Sequence, residues 1–468
     1  MPACKYQEVC GLDGVETSEG TYCILHSPDP QKNVARFDEE LRKYQARVSF
    51  NFRHFVFPPK RLQFKEWFGG TSIGHLLDMS GTIVFGGVYL CDINLNEGAD
   101  FKNAVFCDEV TFGRSSFGGF TNFTKAHFKN FVNFEDTKFT GRVNLIDSIF
   151  EGEVNFSSST RRTCFGERVD FRRARFLDNA SFSDVQFAQE ADFTGTDFNA
   201  TCDFSKAEFR GETKFDSTKF RSAVSFRSAQ FNGISTFRGD GQEQIFSGVV
   251  DLQEIRVKEK HILRLINVNL AMAQLCDAAI SNIDFVGVRW HRIGFRFGVY
   301  DESLIAGDVR VPSLPDVEKI YRQLKQNYEE RRDFGRAGDF HMGEKEMQLR
   351  NPSTPVGTRI TLSLYKFTNG YGERIARPLY FFGFVILYVA GFSLIGGLFD
   401  ESAQRFLNLR SFGDCSAALL FAMDKAFHLP GEYFVPALSV RWLQTLAGVL
   451  GPLFIALAGL AMRNRLRR

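Results

Sequence analysis

The segment Ala99–Phe139, ADFKNAVFCDEVTFGRSSFGGFTNFTKAHFKNFVNFEDTKF, decides the fold of this chain. Its phenylalanines recur in alternating steps of five and six residues: Phe101, Phe106, Phe112, Phe117, Phe123, Phe128, Phe134 and Phe139. The spacing continues as far as Phe237 with one interruption, from Phe156 to Phe171. A second interruption runs from Phe237 to Leu252, and a pure five-residue spacing follows from Leu265 to Phe285. A unit this short can bury its apolar residues only against the next unit, so the repeat predicts a solenoid.

The residues that precede each phenylalanine follow a pattern as well. Two positions before it stands a small or β-branched residue, such as Ala99 or Val110, and the next residue is often Asp, Asn, Thr or Ser. In these features the segment Val88–Phe285 resembles the pentapeptide-repeat family. The resemblance implies a right-handed, four-sided β-helix, which we place at residues 48–300. Its stacked core is expected to include Phe101, Phe112, Phe123, Phe134, Phe171, Phe182, Phe193, Phe204, Phe215 and Phe226.

The charge of the repeat restricts the partners of the solenoid. Between Ala99 and Val250 there are 19 Lys and Arg residues against 21 Asp and Glu residues. A rod that mimics duplex DNA would have to be strongly acidic, and a direct nucleic-acid binder would carry a basic stripe with exposed aromatic residues. The sequence has neither pattern, so nucleic acid is not an expected partner.

The N-terminal residues 1–30 contain a candidate metal site. Cys4, Cys10, Cys23 and His26 have the spacing C-x5-C-x12-C-x2-H. Four thiol and imidazole ligands are typical of structural zinc, and a segment this short would take its folding free energy from the metal. We therefore predict a structural zinc ion. The alternative is three incidental thiols and a surface histidine.

Two further segments are predicted to be helical, a linker at 31–47 and a connector at 312–351. In the connector, apolar residues recur at helical spacing and Gly335 interrupts them, which predicts two short helices. His341, Glu344 and Glu346 are expected on its solvated face rather than in a catalytic cluster. Because the sequence has no catalytic-triad, phosphate-loop or paired-carboxylate pattern, we do not expect an enzyme.

Residues 357–468 predict an α-helical membrane module. Pro378–Phe399 and Trp442–Met462 are each apolar and long enough to cross a bilayer. Cys415–Leu429 is too short to cross, which predicts a re-entrant helix. Basic residues flank the two spans on one side, and the polar N-terminus carries no export signal. We therefore expect a multi-pass protein of the plasma (inner) membrane with both termini in the cytosol.

The order of span, re-entrant helix, loop and span is similar to the ion-channel-like module that follows pentapeptide repeats in many bacterial proteins. The resemblance implies a pore formed by a homo-oligomer, with a tetramer as the first guess. Gly370-Tyr371-Gly372 has the letters of a potassium filter, but it precedes the first span and predicts an interfacial turn. The pore candidates are Asp424, His428, Gly431 and Glu432, and a hinge is predicted at Gly451 and Pro452.

The leading hypothesis for function is an oligomeric ion-channel-like protein in the lipid bilayer. Its β-helix would sense a condition or bind an unknown cytosolic protein, and the connector would transmit the signal. The alternative hypothesis is a non-conducting, membrane-tethered scaffold for protein–protein interaction.

Overall fold

The computed structural model describes residues 2–17, 20–46, 50–63, 70–241, 245–305, 312–429, 434–438 and 441–466. The chain divides into two compact units, which we describe separately. The first unit contains the chain up to Arg292 together with the helix Tyr300–Leu304. The second contains Ile293–Gly298 and the C-terminal helices.

The first unit is a parallel β-solenoid with four faces, which confirms the predicted four-sided β-helix. One coil takes 22 residues where it is regular, since Ala99 pairs with Thr121 and Val105 pairs with His127. Successive strands lie on successive faces, and each face is a separate parallel sheet.

The strands of each face have the following bounds. The first face contains Val56–Phe57, Ile83–Val84, Val105–Phe106, His127–Phe128, Ile149–Phe150, Arg175–Phe176, Asp197–Phe198 and Lys219–Phe220. The second contains Leu62–Gln63, Val88–Tyr89, Val110–Thr111, Val132–Asn133, Val154–Asn155, Ala180–Ser181, Cys202–Asp203, Val224–Ser225, Val250–Asp251 and Ala273–Gln274. The third contains Ser72–Ile73, Asn94–Leu95, Ser116–Phe117, Lys138–Phe139, Cys164–Phe165, Gln186–Phe187, Glu208–Phe209, Gln230–Phe231 and Arg256–Val257. The fourth contains Leu77–Asp78, Ala99–Asp100, Thr121–Asn122, Val143–Asn144, Val169–Asp170, Ala191–Asp192, Thr213–Lys214, Ser235–Arg238, Leu263–Ile266 and Ile283–Val286.

Phenylalanine rings fill the interior of the solenoid. Rings one coil apart are stacked: the centroid of Phe193 lies 4.7 Å from that of Phe171 and 4.8 Å from that of Phe215. Rings on opposite faces meet edge to face, as Phe193 and Phe204 do at 5.5 Å. The ten phenylalanines expected in the stack are all fully buried.

The alternation of five and six residues arises at the corners of the coil. Each five-residue side begins with a β-turn, in which the N–H of Ala104, for example, donates to the carbonyl of Phe101 at 3.0 Å. The third residue of this turn has a positive φ, +55° at Asn103, and such residues recur every eleven positions from Asp92 to Asp147. The Asp100 carboxylate accepts a hydrogen bond from the N–H of Lys102 at 2.9 Å. This Asx turn explains why Asp or Asn so often precedes the phenylalanine.

Two loops lengthen the coil without breaking the stack. The sequence spacing omitted Phe165 and Phe246, yet each occupies an inward position just after a loop. Phe165 stacks on Phe139 at 5.0 Å, and Phe246 lies 5.5 Å from Phe220. Each loop therefore adds residues to one side only, and the next coil resumes in register.

The N-terminal end of the solenoid is covered by helices and a hairpin. Helix α1 is Gln7–Cys10, the hairpin strands are Val15–Thr17 and Gly20–Tyr22, and helix α2 is Val34–Gln45. In α2, Phe37, Leu41 and Tyr44 are buried. The Phe37 ring lies 5.7 Å from that of Phe57 in the first coil. The segment predicted as a linker is thus packed on the solenoid, because one face of its helix is apolar.

The C-terminal end of the solenoid is closed by helix α3, Tyr300–Leu304. Its Asp301 is buried, and both carboxylate oxygens accept from the N–H of Leu275 at 3.1 Å. A 3-10 turn, Ile280–Asn282, and the strand Asn269–Leu270 lie in this last part of the unit, and the strand Arg289–Ile293 begins here.

The second unit is mainly helical. Its helices are α4 Leu314–Glu330, α5 Phe334–Arg350, α6 Val356–Asn369, α7 Ala376–Gly396, α8 Phe412–Phe427 and α9 Trp442–Leu466. Its strands are Arg296–Gly298, Leu398–Asp400, Arg405–Phe406 and Phe434–Pro436. By length and composition, α7 and α9 could each cross a membrane.

Candidate metal centre and candidate pore region

The four predicted ligands come together at the N-terminal end of the solenoid. The Sγ of Cys23 lies 3.7 Å from the Sγ of Cys10 and 3.2 Å from Nδ1 of His26. The Sγ of Cys4 lies 3.6 Å from the same nitrogen. All four ligand atoms lie within 4.8 Å of one another, and all four residues are buried. The site could therefore hold a metal ion.

Local backbone structure brings these side chains together. Helix α1 ends at Cys10 because Gly11 adopts φ +66° and its N–H donates to the carbonyl of Gln7. The hairpin then returns the chain to the first cysteine, so that the N–H of Cys23 lies 3.4 Å from the Sγ of Cys4. A turn follows, in which the N–H of His26 donates to the Cys23 carbonyl at 3.1 Å.

Three of the distances between ligand atoms can be compared with those of a tetrahedral zinc site. Bond lengths of about 2.3 Å for Zn–S and about 2.0 Å for Zn–N give tetrahedron edges of about 3.8 Å between sulfurs and about 3.5 Å between sulfur and nitrogen. The 3.7 Å and 3.6 Å separations agree with these edges, and the 3.2 Å separation is a few tenths shorter. The sulfurs of Cys10 and Cys23 are too far apart for a disulfide, which needs about 2.05 Å.

The surroundings of the ligands also suit a metal. The Nε2 of His26 lies 3.3 Å from the carbonyl oxygen of Arg53, a partner that would leave Nδ1 free to coordinate. The hydrogen bond with Cys10 and burial raise the pKa of the Cys23 thiol to about 12. A coordinated thiol is deprotonated, so a bound zinc ion would reverse this shift.

A buried lysine lies close to this centre. The Nζ of Lys32 donates to the carbonyl of Ser27 at 3.0 Å and sits 4.7 Å from the centroid of the Phe37 ring. Burial lowers the pKa of Lys32 to about 7, and the charge of Cys23 acts in the opposite direction. Three thiolates around a divalent ion leave one net negative charge, which an ammonium group at this position would offset.

The candidate metal site is joined directly to the first coil. The N–H of Val56 donates to the carbonyl of Leu25 at 2.8 Å, and the His26 ring meets the Phe55 ring edge to face at 4.9 Å. A solenoid exposes apolar surface at its end unless a cap covers it. The four residues therefore lie in a cap on the first coil, where a bound metal ion could stabilise it.

In the second unit, α8 extends only partway along α7 and α9. At its C-terminal end, Ala426 packs on Gly451, where an added Cβ would lie 2.7 Å from the Ala426 Cβ. Gly451 lies nine residues beyond Trp442, or about 14 Å along the helix axis. The hydrocarbon core of a bilayer is about 30 Å thick. Gly451, where the C-terminal end of α8 packs, therefore lies about half of a crossing from the start of α9.

The chain on both sides of α8 lies at the same end of α7 and α9. Strand Phe434–Pro436 pairs antiparallel with Leu398–Asp400, which directly follows α7. The Arg405 guanidinium binds the Asp414 carboxylate near the start of α8 at 2.9 and 2.6 Å. At the other end of these helices, the Asn464 amide donates to the carbonyl of Gly372 at 3.2 Å.

The pore candidates are only partly described. His428 is exposed and ends α8 in a left-handed conformation, with φ +54°. Asp424 is half-buried one turn earlier, and its carbonyl accepts from the N–H of Leu429 at 2.8 Å. Gly431 and Glu432 lie outside the described residues. Pro452 lies inside α9, which continues through it to Leu466.

Gly370-Tyr371-Gly372 forms the turn that ends α6. Gly370 is the left-handed C-cap of that helix. Tyr371 is buried beside Met342 and Leu362, and its hydroxyl lies 3.3 Å from the Glu346 carboxylate. The tyrosine thus anchors the turn to α5.

The acidic residues of α5 are not solvated, contrary to the expectation from sequence. Glu344 is buried and bonded to Lys325 at 2.9 Å. Burial by itself would raise the pKa of Glu344, yet hydrogen bonds with His341 and Lys325 lower it below its usual range. Glu346 binds Lys366 of α6 at 2.9 Å. The polar face of α5 therefore binds α4 and α6.

Replacing Gly451 by alanine is expected to destabilise the contact between α8 and α9. The new methyl group would collide with Ala426, and overpacking of this kind costs about 1–3 kcal/mol. The readout is hydrogen-exchange protection of Ala418–Ala426 in the full chain in detergent. Gly459→Ala, on the same helix with no atom within 4 Å of the new Cβ, is the control. Equal protection in the two variants would contradict the packing.

The first unit belongs to the class of four-sided parallel β-solenoids, here with a cysteine-rich cap. Residues 112–160 and 161–208 match the family model described as pentapeptide repeats (9 copies). The solenoid is therefore built of pentapeptide repeats, as the sequence pattern indicated. No curated protein and no solved structure matches the chain.

Proposed function

We propose that the helices α7 to α9 form the membrane module of an oligomeric ion-channel-like protein, and that the solenoid is its sensing or partner-binding domain. The observation that carries the proposal is the pairing of Phe434–Pro436 with Leu398–Asp400. This pairing places the chain that follows α8 beside the C-terminal end of α7, the same end from which the chain leads into α8. A segment that enters the apolar layer halfway and turns back is the part of a two-span subunit that can line a conduit.

The exposed side chains of α8 support assembly into an oligomer. Ala418, Ala422 and Ala426 face α7 and α9, whereas Leu420, Met423 and Phe427 are between 41 and 58% exposed. Two crossing helices and one half-crossing helix cannot enclose a pore. We therefore propose a homo-oligomer, with a tetramer as the first guess, in which these exposed residues contact the neighbouring subunit.

Contacts within the second unit support a coupling role for the connector. The α4–α5 hairpin is held by Glu344, and the bond between Glu346 and Lys366 ties it to α6, which leads into α7. A displacement of the hairpin would consequently act on the first candidate span.

The metal of the cap is proposed to be structural zinc.

Flux through liposomes that contain the full-length protein tests the proposal. Wild-type protein is expected to pass monovalent cations such as potassium. Glu432→Gln together with His428→Ala is expected to lower the flux several-fold, because a ring of carboxylates in the oligomer would favour cations. Glu401→Gln, which changes an exposed carboxylate elsewhere in the loops of the module, is the control.

Each outcome decides between hypotheses. A flux that is unchanged in the double variant would remove the proposed filter. An absence of flux in correctly oriented wild-type protein would favour the membrane-tethered scaffold.

A further inference from the structure

Helix α6 presents an apolar stripe that the described chain leaves mostly exposed. Val356, Ile360, Leu364 and Phe367 recur on one face, and their side chains are between 58 and 70% exposed. The opposite face is packed: Leu362 is buried in a cluster with Met342 and Tyr371. The helix thus attaches to the protein through Leu362 and leaves a separate apolar stripe exposed, as does a helix lying in a membrane interface.

The stripe continues onto the surface of the first candidate span. The Phe367 ring lies 4.8 Å from the Phe381 ring of α7. Beyond it, Tyr380, Phe384 and Leu387 are between 64 and 78% exposed along the same helix. A surface of this kind on a helix that crosses a bilayer contacts acyl chains. The exposed face of α6 and the exposed face of α7 are therefore parts of one apolar surface.

A cavity of about 670 Å³ lies where the two helices meet. It is lined by Leu349, Ser363, Lys366, Phe367, Arg377, Tyr380 and Phe381. Its walls are mostly apolar, and its charged residues, Lys366 and Arg377, lie near the N-terminal end of α7. The cavity has the mixed character expected for a lipid, with a polar head at one end and a chain at the other.

The charges at the cavity favour an anion. The Lys366 ammonium is neutralised by Glu346 at 2.9 Å. Arg377 is exposed, its guanidinium donates to the carbonyl of Lys366, and no carboxylate among the described residues pairs with it. Arg359, one residue before Ile360, is exposed and likewise lacks a carboxylate partner in the described chain. Guanidinium groups bind phosphate readily, so Arg377 is available for it at this cavity, and Arg359 adds positive charge elsewhere on the same helix.

We propose that this cavity binds an anionic phospholipid of the bilayer, with its phosphate at Arg377 and its acyl chain along Phe367, Phe381 and Phe384. Helix α6 would lie in the same interface and place the cavity at headgroup depth. The inference depends on α7 spanning a membrane, but it does not depend on conduction.

Quenching by brominated lipids in nanodiscs tests the site in the full-length protein. Phe367→Trp, in a Trp442→Phe background, places a reporter at the cavity. Brominated phosphatidylglycerol is expected to quench it more strongly than brominated phosphatidylcholine at the same fraction, by about fivefold in apparent affinity for one basic contact. Arg377→Gln should remove this preference and leave quenching by phosphatidylcholine, whereas Arg377→Lys should retain the preference.

The control is Arg410→Gln, at an exposed arginine in the loop before α8, which should leave the preference unchanged. Equal quenching by both lipids in the unsubstituted reporter would overturn the anionic site. The absence of quenching by either lipid would overturn the interfacial position of α6. Loss of the preference when inorganic phosphate is added would assign the site to a soluble anion instead of a lipid. Because quenching is read without ion flux, failure here is separable from failure of the proposed channel.

Discussion

Replacing Cys23 by serine is expected to abolish metal retention and to unfold the N-terminal cap. Purified wild-type protein should carry one zinc ion per chain, whereas the variant should carry none. Structural zinc in small sites contributes about 10 kcal/mol or more of folding free energy, and residues 1–26 have little other core. The measurements are elemental analysis for zinc and hydrogen exchange across the hairpin Val15–Tyr22.

A cysteine outside the cap provides the matched control. Cys107→Ser changes a half-buried thiol on the solenoid and should leave zinc content and exchange unaltered. Treating wild-type protein with a strong chelator should reproduce the effect of Cys23→Ser. A cap that stays protected from exchange when it contains no metal would contradict the assignment.

Replacing Phe193 by alanine is expected to destabilise the solenoid by about 3–5 kcal/mol, the usual cost of truncating a buried phenylalanine. Its ring is stacked on Phe171 and Phe215 and meets Phe182 and Phe204 edge to face, so the cavity would be closed on all sides. Each coil is stable only against its neighbours. Faster hydrogen exchange should consequently extend into the coils on both sides.

The contrasting variant is Phe120→Ala, since Phe120 lies on the same solenoid but is 48% exposed. It should change exchange rates little. A loss of protection limited to the strand Ala191–Asp192 would show that the coils are not energetically coupled.

The solenoid could be predicted well from the sequence because, with a repeat of five or six residues, the phenylalanine rings can be buried only against the rings of neighbouring coils. Residues 11 apart must lie on opposite sides of the coil, and residues 22 apart must stack, once each side takes five or six residues. The same rule failed at Phe165 and Phe246 because a loop changes the count locally and leaves the spatial register unchanged.

Prediction was less successful where charges decide the structure. Glu344 and Glu346 were expected in solvent. The spacing of apolar residues shows which positions share a helix face, but it does not show which acidic residue forms an ion pair with which basic residue. The helix α6 was missed for another reason. Val356, Ile360, Leu364 and Phe367 have helical spacing, but their low density of apolar residues does not stand out beside the continuous apolar run of α7.

Because the coils have the same cross-section, the length of the solenoid is set by the number of coils. Duplicating one 22-residue coil would keep every ring in register and move the two caps apart by about 4.8 Å. Adding a single residue within a strand would instead turn the following side chains outward, since neighbours along a strand face opposite ways. The distance between the two ends of the solenoid can therefore change only in steps of one coil, whereas the surface loops can vary freely in length.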